Sequence, residues 1–132
     1  MGAPAGTGTA KAGRMDISVQ TTGGIAVVTV LDEILDLTTI DPFLTQVEPV
    51  VDEHPNIIVD VGTLNYIDSS GLSGFAYLYN RVYDREGRIC IFGARGRVAQ
   101  AIDMIQLERI MGVYASLDEA LGSFQSAAEN SA

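Results

Sequence analysis

The chain has 132 residues, of which 47% are hydrophobic, so it can bury one core and has little room for a second domain. Its 17 acidic and 8 basic side chains give a formal net charge of −9, which argues against nucleic acid and anionic membrane surfaces as partners and favours a basic or mixed protein surface. The start lacks the apolar core of a signal peptide, and no stretch approaches the roughly 18 apolar residues of a membrane span, so we expect a cytoplasmic protein.

The first part of the chain predicts a tail followed by a β-hairpin. Residues 1–14 are rich in Gly, Ala and Thr without apolar periodicity, which is typical of a flexible tail. Residues 16–20 alternate polar and apolar side chains, as a half-buried strand does, and residues 25–31 are almost all apolar or β-branched, as in a central strand. Residues 22–24 read Thr-Gly-Gly and supply the turn between the two strands.

The rest of the chain alternates helices with short apolar strands. Asp41 followed by Pro42 predicts a helix start, with Asp41 as the N-cap and Pro42 at the first helical position, and His54 ends that helix. The later segments are, in chain order, a strand at 57–61, a helix over about 71–85, a strand at 89–92, a helix over about 95–108, a strand at 112–114 and a helix that opens at Ser116.

The order of these elements, ββαβαβαβα, predicts the fold class. Helices that alternate with short apolar strands indicate an α/β domain with a mostly parallel central sheet, here preceded by the N-terminal β-hairpin. We expect this single domain to span residues 15–128 and residues 129–132 to fray.

The stretch that points to a function is residues 68–72, Asp-Ser-Ser-Gly-Leu, which directly follows a predicted strand and opens a helix. Loops at the carboxyl ends of parallel strands commonly form sites, and a helix N-terminus offers free N–H groups and a positive dipole end. Asp68, Ser69 and Ser70 are all good capping residues, so capping alone can explain them. A surplus serine beside a helix start is also well placed for phosphorylation. Both interpretations stay open from the residues alone.

The same stretch resembles the signature of STAS domains of the anti-sigma factor antagonist type, in which an Asp-Ser-Ser/Thr-Gly-Leu run follows the third strand. The element order along residues 15–128 also fits that fold. The resemblance implies that the serine directly after the aspartate, Ser69, is phosphorylated, with Ser70 as the neighbouring cap. The residues that it implies for the phosphosite loop and partner contact are Asp68, Ser70, Gly71, Leu72 and Asp36.

The resemblance further implies a phospho-switch in signal transduction and transcription regulation. Such a domain is not an enzyme and uses no cofactor. Its unphosphorylated form binds and sequesters a GHKL-type anti-sigma factor that is itself a serine kinase, and phosphorylation of Ser69 releases this partner. A PPM-type serine phosphatase then reverses the modification.

Two positions depart from the family pattern. Residues 32–36 read Asp-Glu-Ile-Leu-Asp where the family often has Gly-Glu-Leu/Ile-Asp, so Leu35 and Asp36 are kept and the glycine is not. Because this loop normally contributes to partner contact, the resemblance leaves the identity of the partner open. Ser73 stands where glycine is common, which is a mild change on a helix.

Three other functions draw on the same residues. A scaffold or regulatory STAS domain of a stressosome-like or other partner-switching assembly involves no sigma factor and would self-assemble into large particles. A hydrolase would need His54, the only histidine, which is expected at the opposite end of the sheet from Ser69. A receiver would use Asp68 as phosphoacceptor but needs a downstream lysine, and the only lysine is Lys11. No cluster of metal ligands is visible, so no metal is expected.

The other reactive side chains fit structural roles. Cys90, the only cysteine, lies in an apolar strand and is predicted to be a small core residue. Arginines gather in one part of the chain, where they fit either a solvated face or a basic patch for an acidic partner: Arg81, Arg85, Arg88, Arg95 and Arg97.

Overall fold

A five-stranded sheet forms the centre of the computed structural model, which describes residues 16–131 and the side chains of residues 16–125. In chain order the strands of the domain are β1 (Ile17–Thr22), β2 (Ile25–Val30), β3 (Ile34–Leu35), β4 (Asn56–Asp60), β5 (Tyr66–Ile67), β6 (Arg88–Phe92) and β7 (Gly112–Tyr114). The large sheet has the order β1-β2-β4-β6-β7, with an antiparallel β1–β2 pair and parallel pairs elsewhere. Strands β3 and β5 pair with each other as a separate parallel sheet.

Helices cover both faces of the large sheet. They are α1 (Ile40–Glu53), α2 (Ser69–Asp84), α3 (Gly96–Met104) and α4 (Leu117–Ser131), with a 3₁₀ turn at Leu107–Arg109 between α3 and β7. Because side chains alternate along a strand, the central strands β2, β4 and β6 contribute to two cores. Val59 packs in the larger core with α1, α2 and α3, whereas its neighbour Ile58 packs in the smaller core with Phe124 of α4.

The predicted fold class is confirmed: the domain is α/β, mostly parallel, and begins with an antiparallel hairpin. The predicted tail over residues 1–14 lies outside the described residues, and the predicted limits of the domain near residues 15 and 128, with fraying after 128, stay predictions. Within the described part of the chain, no helix is long and apolar enough to cross a membrane.

The predicted start of α1 was wrong by two residues. Thr39 is the N-cap, and the helix begins at Ile40, so Asp41 lies inside the first turn and Pro42 is the third helical residue. Thr39 is held in this place because its hydroxyl accepts from the N–H of Asp36 at 2.9 Å. The proline is tolerated there because the first four N–H groups of a helix have no intrahelical acceptor.

Two further boundaries differ from the sequence prediction. Helix α2 begins at Ser69, ahead of the predicted Gly71, because Asp68 caps it. Helix α3 ends at Met104 rather than near residue 108, since Gln106 adopts a left-handed conformation (φ 57°) that ends the helical turn.

Candidate functional site

The small sheet holds together the two loops that the sequence singled out. Ile34 lies opposite Tyr66 and Leu35 lies opposite Ile67, so the 32–36 segment runs beside the strand that leads into α2. Leu35 and Ile67 point into the core, while Ile34 and Tyr66 are 47% and 43% exposed. A backbone bond from the N–H of Asp68 to the carbonyl of Leu35, at 3.2 Å, extends the pairing to the helix start.

Asp68 ties the start of α2 to the loop before α1. Its Oδ1 accepts from the backbone N–H of Gly71 at 3.1 Å, which is an N-cap, and its Oδ2 accepts from the N–H of Leu37 at 3.1 Å. Asp68, and not Ser70, is therefore the cap. The reason is the backbone: Asp68 is extended (φ −109°, ψ −173°), as an N-cap must be, whereas Ser70 is already the second helical residue.

Ser69 and Ser70 occupy the first turn of α2 with different exposure. Ser69 is the first helical residue and is exposed, whereas Ser70 is half-buried. No acidic side chain lies in this first turn, so the positive end of the helix dipole is offset only by Asp68 at the cap. A negative group on Ser69 would therefore meet a favourable local field.

Gly71 and Leu72 fit α2 closely against the small sheet. A Cβ on Gly71 would lie 2.6 Å from Cγ1 of Ile67 and 2.7 Å from the carbonyl oxygen of Leu35, which only a glycine avoids. Leu72 is partly buried against the larger core, and its N–H donates to the carbonyl of Asp68 at 3.0 Å. Leu72 therefore anchors the helix and leaves only part of its side chain to a partner.

Asp36, which the resemblance implies as a partner-contact residue, lies in the loop that the bond from the N–H of Leu37 to Asp68 joins to α2. Its Oδ1 accepts from the N–H of Thr38 at 2.9 Å and from the hydroxyl of Thr38 at 2.7 Å. These bonds, the hydroxyl bond first, lower the pKa of the Asp36 carboxyl below its usual value. Asp36 thus stays ionised in the loop that Asp68 joins to α2.

Exposed apolar side chains surround this end of the domain. Leu37, whose N–H binds Asp68, is 72% exposed, and Ile34 and Tyr66 stand beside each other on the small sheet. We call Ile34, Leu37 and Tyr66 the apolar rim. Apolar and aromatic side chains exposed together are more typical of a protein-binding surface than of a solvated loop. The residue types alone did not single out this rim, because the pairing of β3 with β5 creates it.

The remaining candidate residues lie away from Ser69 or have structural partners. His54 ends α1, two residues before the first residue of β4, and its Nδ1 lies 3.0 Å from the carbonyl oxygen of Val50. Cys90 is buried as predicted, and burial raises the pKa of its thiol to about 11. Among the described residues, no group of His, Cys, Asp and Glu side chains has the arrangement of a metal site.

The five arginines do not form one patch. Arg81 and Arg85 bind Asp52 on α1, by its carboxylate and its backbone carbonyl respectively. Arg88 binds the carbonyl of Ser123 and lies over the ring of Phe124, 4.9 Å from its centroid. The Nε of Arg95 donates to the carbonyl of Gly62, and Arg97 is exposed.

Comparison with known proteins identifies the family. The family model described as the STAS domain matches residues 16–120. The chain belongs to the STAS domain family. No curated protein matches its sequence. An anti-sigma factor antagonist from Mycobacterium paratuberculosis is 25% identical, with a TM-score of 0.74 over 84% of this chain and 94% of that chain.

Two other solved structures share the STAS fold at lower identity. SpoIIAA from Bacillus, an anti-sigma factor antagonist in its unphosphorylated form, is 17% identical, with a TM-score of 0.68 over 84% of this chain and 97% of that chain. The murine anion transporter Slc26a9 is 17% identical, with a TM-score of 0.69 over 81% of this chain but only 18% of its own. The fold therefore occurs both in antagonists of similar size and inside a transporter.

Proposed function

We propose that this STAS domain is an anti-sigma factor antagonist that acts in the cytoplasm as a phospho-switch. Its unphosphorylated form binds and sequesters a GHKL-type anti-sigma factor, which is the serine kinase that modifies Ser69. Phosphorylation releases this partner, and a PPM-type phosphatase restores the binding form. The observation that carries the proposal is one exposed serine, on the first turn of a helix capped by Asp68, beside the apolar rim.

The location of Ser69 suits a switch in which phosphorylation weakens the interface with the partner and does not refold the domain. A phosphoryl group there carries about −1.5 to −2 charges and is favoured by the helix N-terminus, so it has little reason to unfold the helix. A partner that covers the apolar rim would have to desolvate this dianion, and an unpaired buried charge is costly. A thousandfold loss of affinity needs only about 4 kcal/mol. The carboxylates of Asp36 and Asp68, which lie in the same region, would add repulsion toward any carboxylate that the partner presents there.

The proposal gives the domain no catalysis of its own. A serine nucleophile needs an adjacent base, and the only histidine, His54, lies two residues before β4, away from the end of the sheet where α2 begins. The chemistry of the switch belongs to the kinase and the phosphatase.

The test combines phosphate mapping with affinity measurement. Purified domain is incubated with ATP and the GHKL kinases of the same genome, and mass spectrometry locates the phosphate. We expect it on Ser69, which is exposed, and not on the half-buried Ser70. Ser69→Ala should keep binding the kinase, while Ser69→Asp should bind more weakly, though one carboxylate mimics phosphate incompletely. Phosphate found mainly on Ser70, or assembly into large particles without kinase binding, would overturn the proposal.

A further inference from the structure

A groove runs between α1 and α2 and begins at Ser69. Its volume is about 390 Å³, and the residues that line it beside Ser69 are Ile40, Leu44, Ser70, Ser73, Gly74 and Tyr77. It lies on the helical face of the domain, so it is distinct from the apolar rim on the small sheet. The switch proposed for Ser69 involves only the end of the groove at Ser69 and assigns no role to the rest of it.

The floor of the groove is apolar and open for a structural reason. Gly74 is buried and carries no side chain, so α2 comes against the end of the Ile40 side chain. Leu44, one turn further along α1, is only half-buried. The floor is therefore aliphatic, and the exposed part of Leu44 lies between the two helices, where one apolar side chain from outside can be accommodated.

An acidic row borders the groove on the side of α1. Asp41, Glu48 and Asp52 are spaced by seven and four residues, which puts them on one face of the helix, beside the stripe that holds Ile40 and Leu44. The sequence of α1 contains no basic residue to offset them. The groove is thus apolar at its floor and negative along one border.

The far end of the groove is closed by contacts between the two helices. The hydroxyl of Tyr77 donates to the carboxylate of Glu48, and Arg81 binds Asp52 through two hydrogen bonds of 3.0 and 3.1 Å. The bond to Glu48 raises the pKa of Tyr77. Because this network engages Glu48 and Asp52 with Arg81, the uncompensated charge of the row lies toward Asp41, near the Ser69 end.

We propose that this groove docks a helical segment of a protein partner that presents an aliphatic side chain and, about one turn away, a lysine or arginine. The aliphatic side chain fills the floor beside Leu44 and Gly74, and the basic side chain meets the acidic row. One turn of a helix spans about 5.4 Å, which is close to the step of three residues from Leu44 back to Asp41 on α1, where the charge of the row is uncompensated. This inference rests on the proposed function in one respect: it takes the partner to be the kinase or phosphatase of the switch.

Docking in the groove is compatible with the phosphate. A basic segment bound along α1 is not repelled by a negative group on Ser69, unlike a partner that covers the apolar rim. The kinase must hold the free serine and the phosphatase must hold the phosphoserine, and the groove offers both enzymes the same contact. Release by phosphorylation then comes from the rim, while recognition of the domain comes from the groove.

The experiment titrates the ¹⁵N-labelled domain with two synthetic amphipathic peptides of about 15 residues, long enough to form a helix. One peptide is built from Leu and Lys, and the other has every Lys replaced by Glu. We expect the Leu/Lys peptide to shift the amide signals of Leu44, Gly74 and Tyr77, and the Leu/Glu peptide to bind at least about tenfold more weakly. Because any acidic protein attracts a basic peptide, the location of the shifts decides the outcome.

Matched variants on α2 sharpen the test. Ser73→Trp fills the groove from an exposed position and should weaken binding of the Leu/Lys peptide at least about tenfold. Asn80→Trp introduces the same side chain at an exposed residue that does not line the groove, and it should leave the affinity for the peptide unchanged. Ser73→Arg, a smaller change, should weaken binding by repelling the lysines. Shifts spread over β1 or α4, or equal effects of the two tryptophan variants, would overturn the inference.

The two proposals fail in distinguishable ways. If no kinase phosphorylates Ser69 but the Leu/Lys peptide still binds in the groove, the switch is wrong and the groove stands. If Ser69 is phosphorylated and releases the kinase, but the peptide shifts no groove signal and Ser73→Trp binds the kinase as the wild type does, the groove is wrong and the switch stands.

Discussion

The two sheets of this domain are built in opposite ways. The large sheet has strands of three to six residues, and its central strands β4 and β6 each bury three consecutive residues. The small sheet has two strands of two residues each, and half of their side chains are exposed. The large sheet is held by burial on both faces, whereas the small one depends on a few hydrogen bonds and a close contact with α2. Stability and site geometry are therefore carried by different parts of the chain.

The largest expected effect comes from the contact between α2 and the small sheet. Gly71→Ala introduces a Cβ within 2.7 Å of the carbonyl oxygen of Leu35, which is backbone and cannot rotate away. We expect a loss of about 1–3 kcal/mol in the free energy of unfolding, measured by denaturant titration, together with movement of the NMR signals of β3 and β5.

Gly122→Ala is the matched control for this change. Gly122 also lies in a helix, α4, but nothing stands within 4 Å of a Cβ placed there. The same substitution should therefore stabilise the domain by about 0.5–1 kcal/mol through helix propensity. Similar effects at both glycines would show that the small sheet is not closely fitted to α2.

The same contrast explains how much of the structure the sequence predicts. The large sheet is predictable because runs such as residues 57–61 are apolar and bounded by turn residues, and the helices have apolar faces with helical spacing. The small sheet is not, because two-residue strands have no periodicity, and their pairing depends on two segments about 30 residues apart. The motif at 68–72 can be found from its capping residues and from its resemblance to the family signature. The residue that caps α2 cannot, because it depends on the extended backbone of Asp68, which the residue types do not reveal.

A slightly smaller effect is expected at the cap itself. Asp68→Ala removes the acceptor for the N–H of Gly71 and also the bond to the N–H of Leu37, so it should cost about 1–2 kcal/mol of stability. Ser70→Ala removes no cap and should change the free energy of unfolding by less than about 0.5 kcal/mol. If Ser70→Ala cost as much as Asp68→Ala, the hydroxyl of Ser70 would be holding the helix start and the assignment of the cap would fail.

The large sheet can be probed through Cys90, whose thiol is buried between the sheet and α4. Burial raises its pKa from 9.0 to about 11, so the folded state holds the proton where the unfolded state releases it. The contribution to stability is complete below about pH 9 and is lost as the pH rises toward 11. Tyr77 also has a raised pKa, so the measurement is denaturant unfolding from pH 8 to 11 against Cys90→Ala. An identical pH profile in the variant would contradict the assignment.

The smallest effect is expected at the edge of the large sheet. Strand β1 is one of the two edge strands, and it is already fixed by a complete antiparallel pairing with β2 and by a bond from the N–H of Asp16 to Asp32 at 2.8 Å. Residues 1–14 have no periodic apolar face, so removing them deletes little burial. Deletion of residues 1–14 should therefore leave the thermal midpoint nearly unchanged. A loss of more than about 1 kcal/mol in the free energy of unfolding would show that this segment packs on the domain. The stability of the large sheet would then also depend on residues outside its own strands.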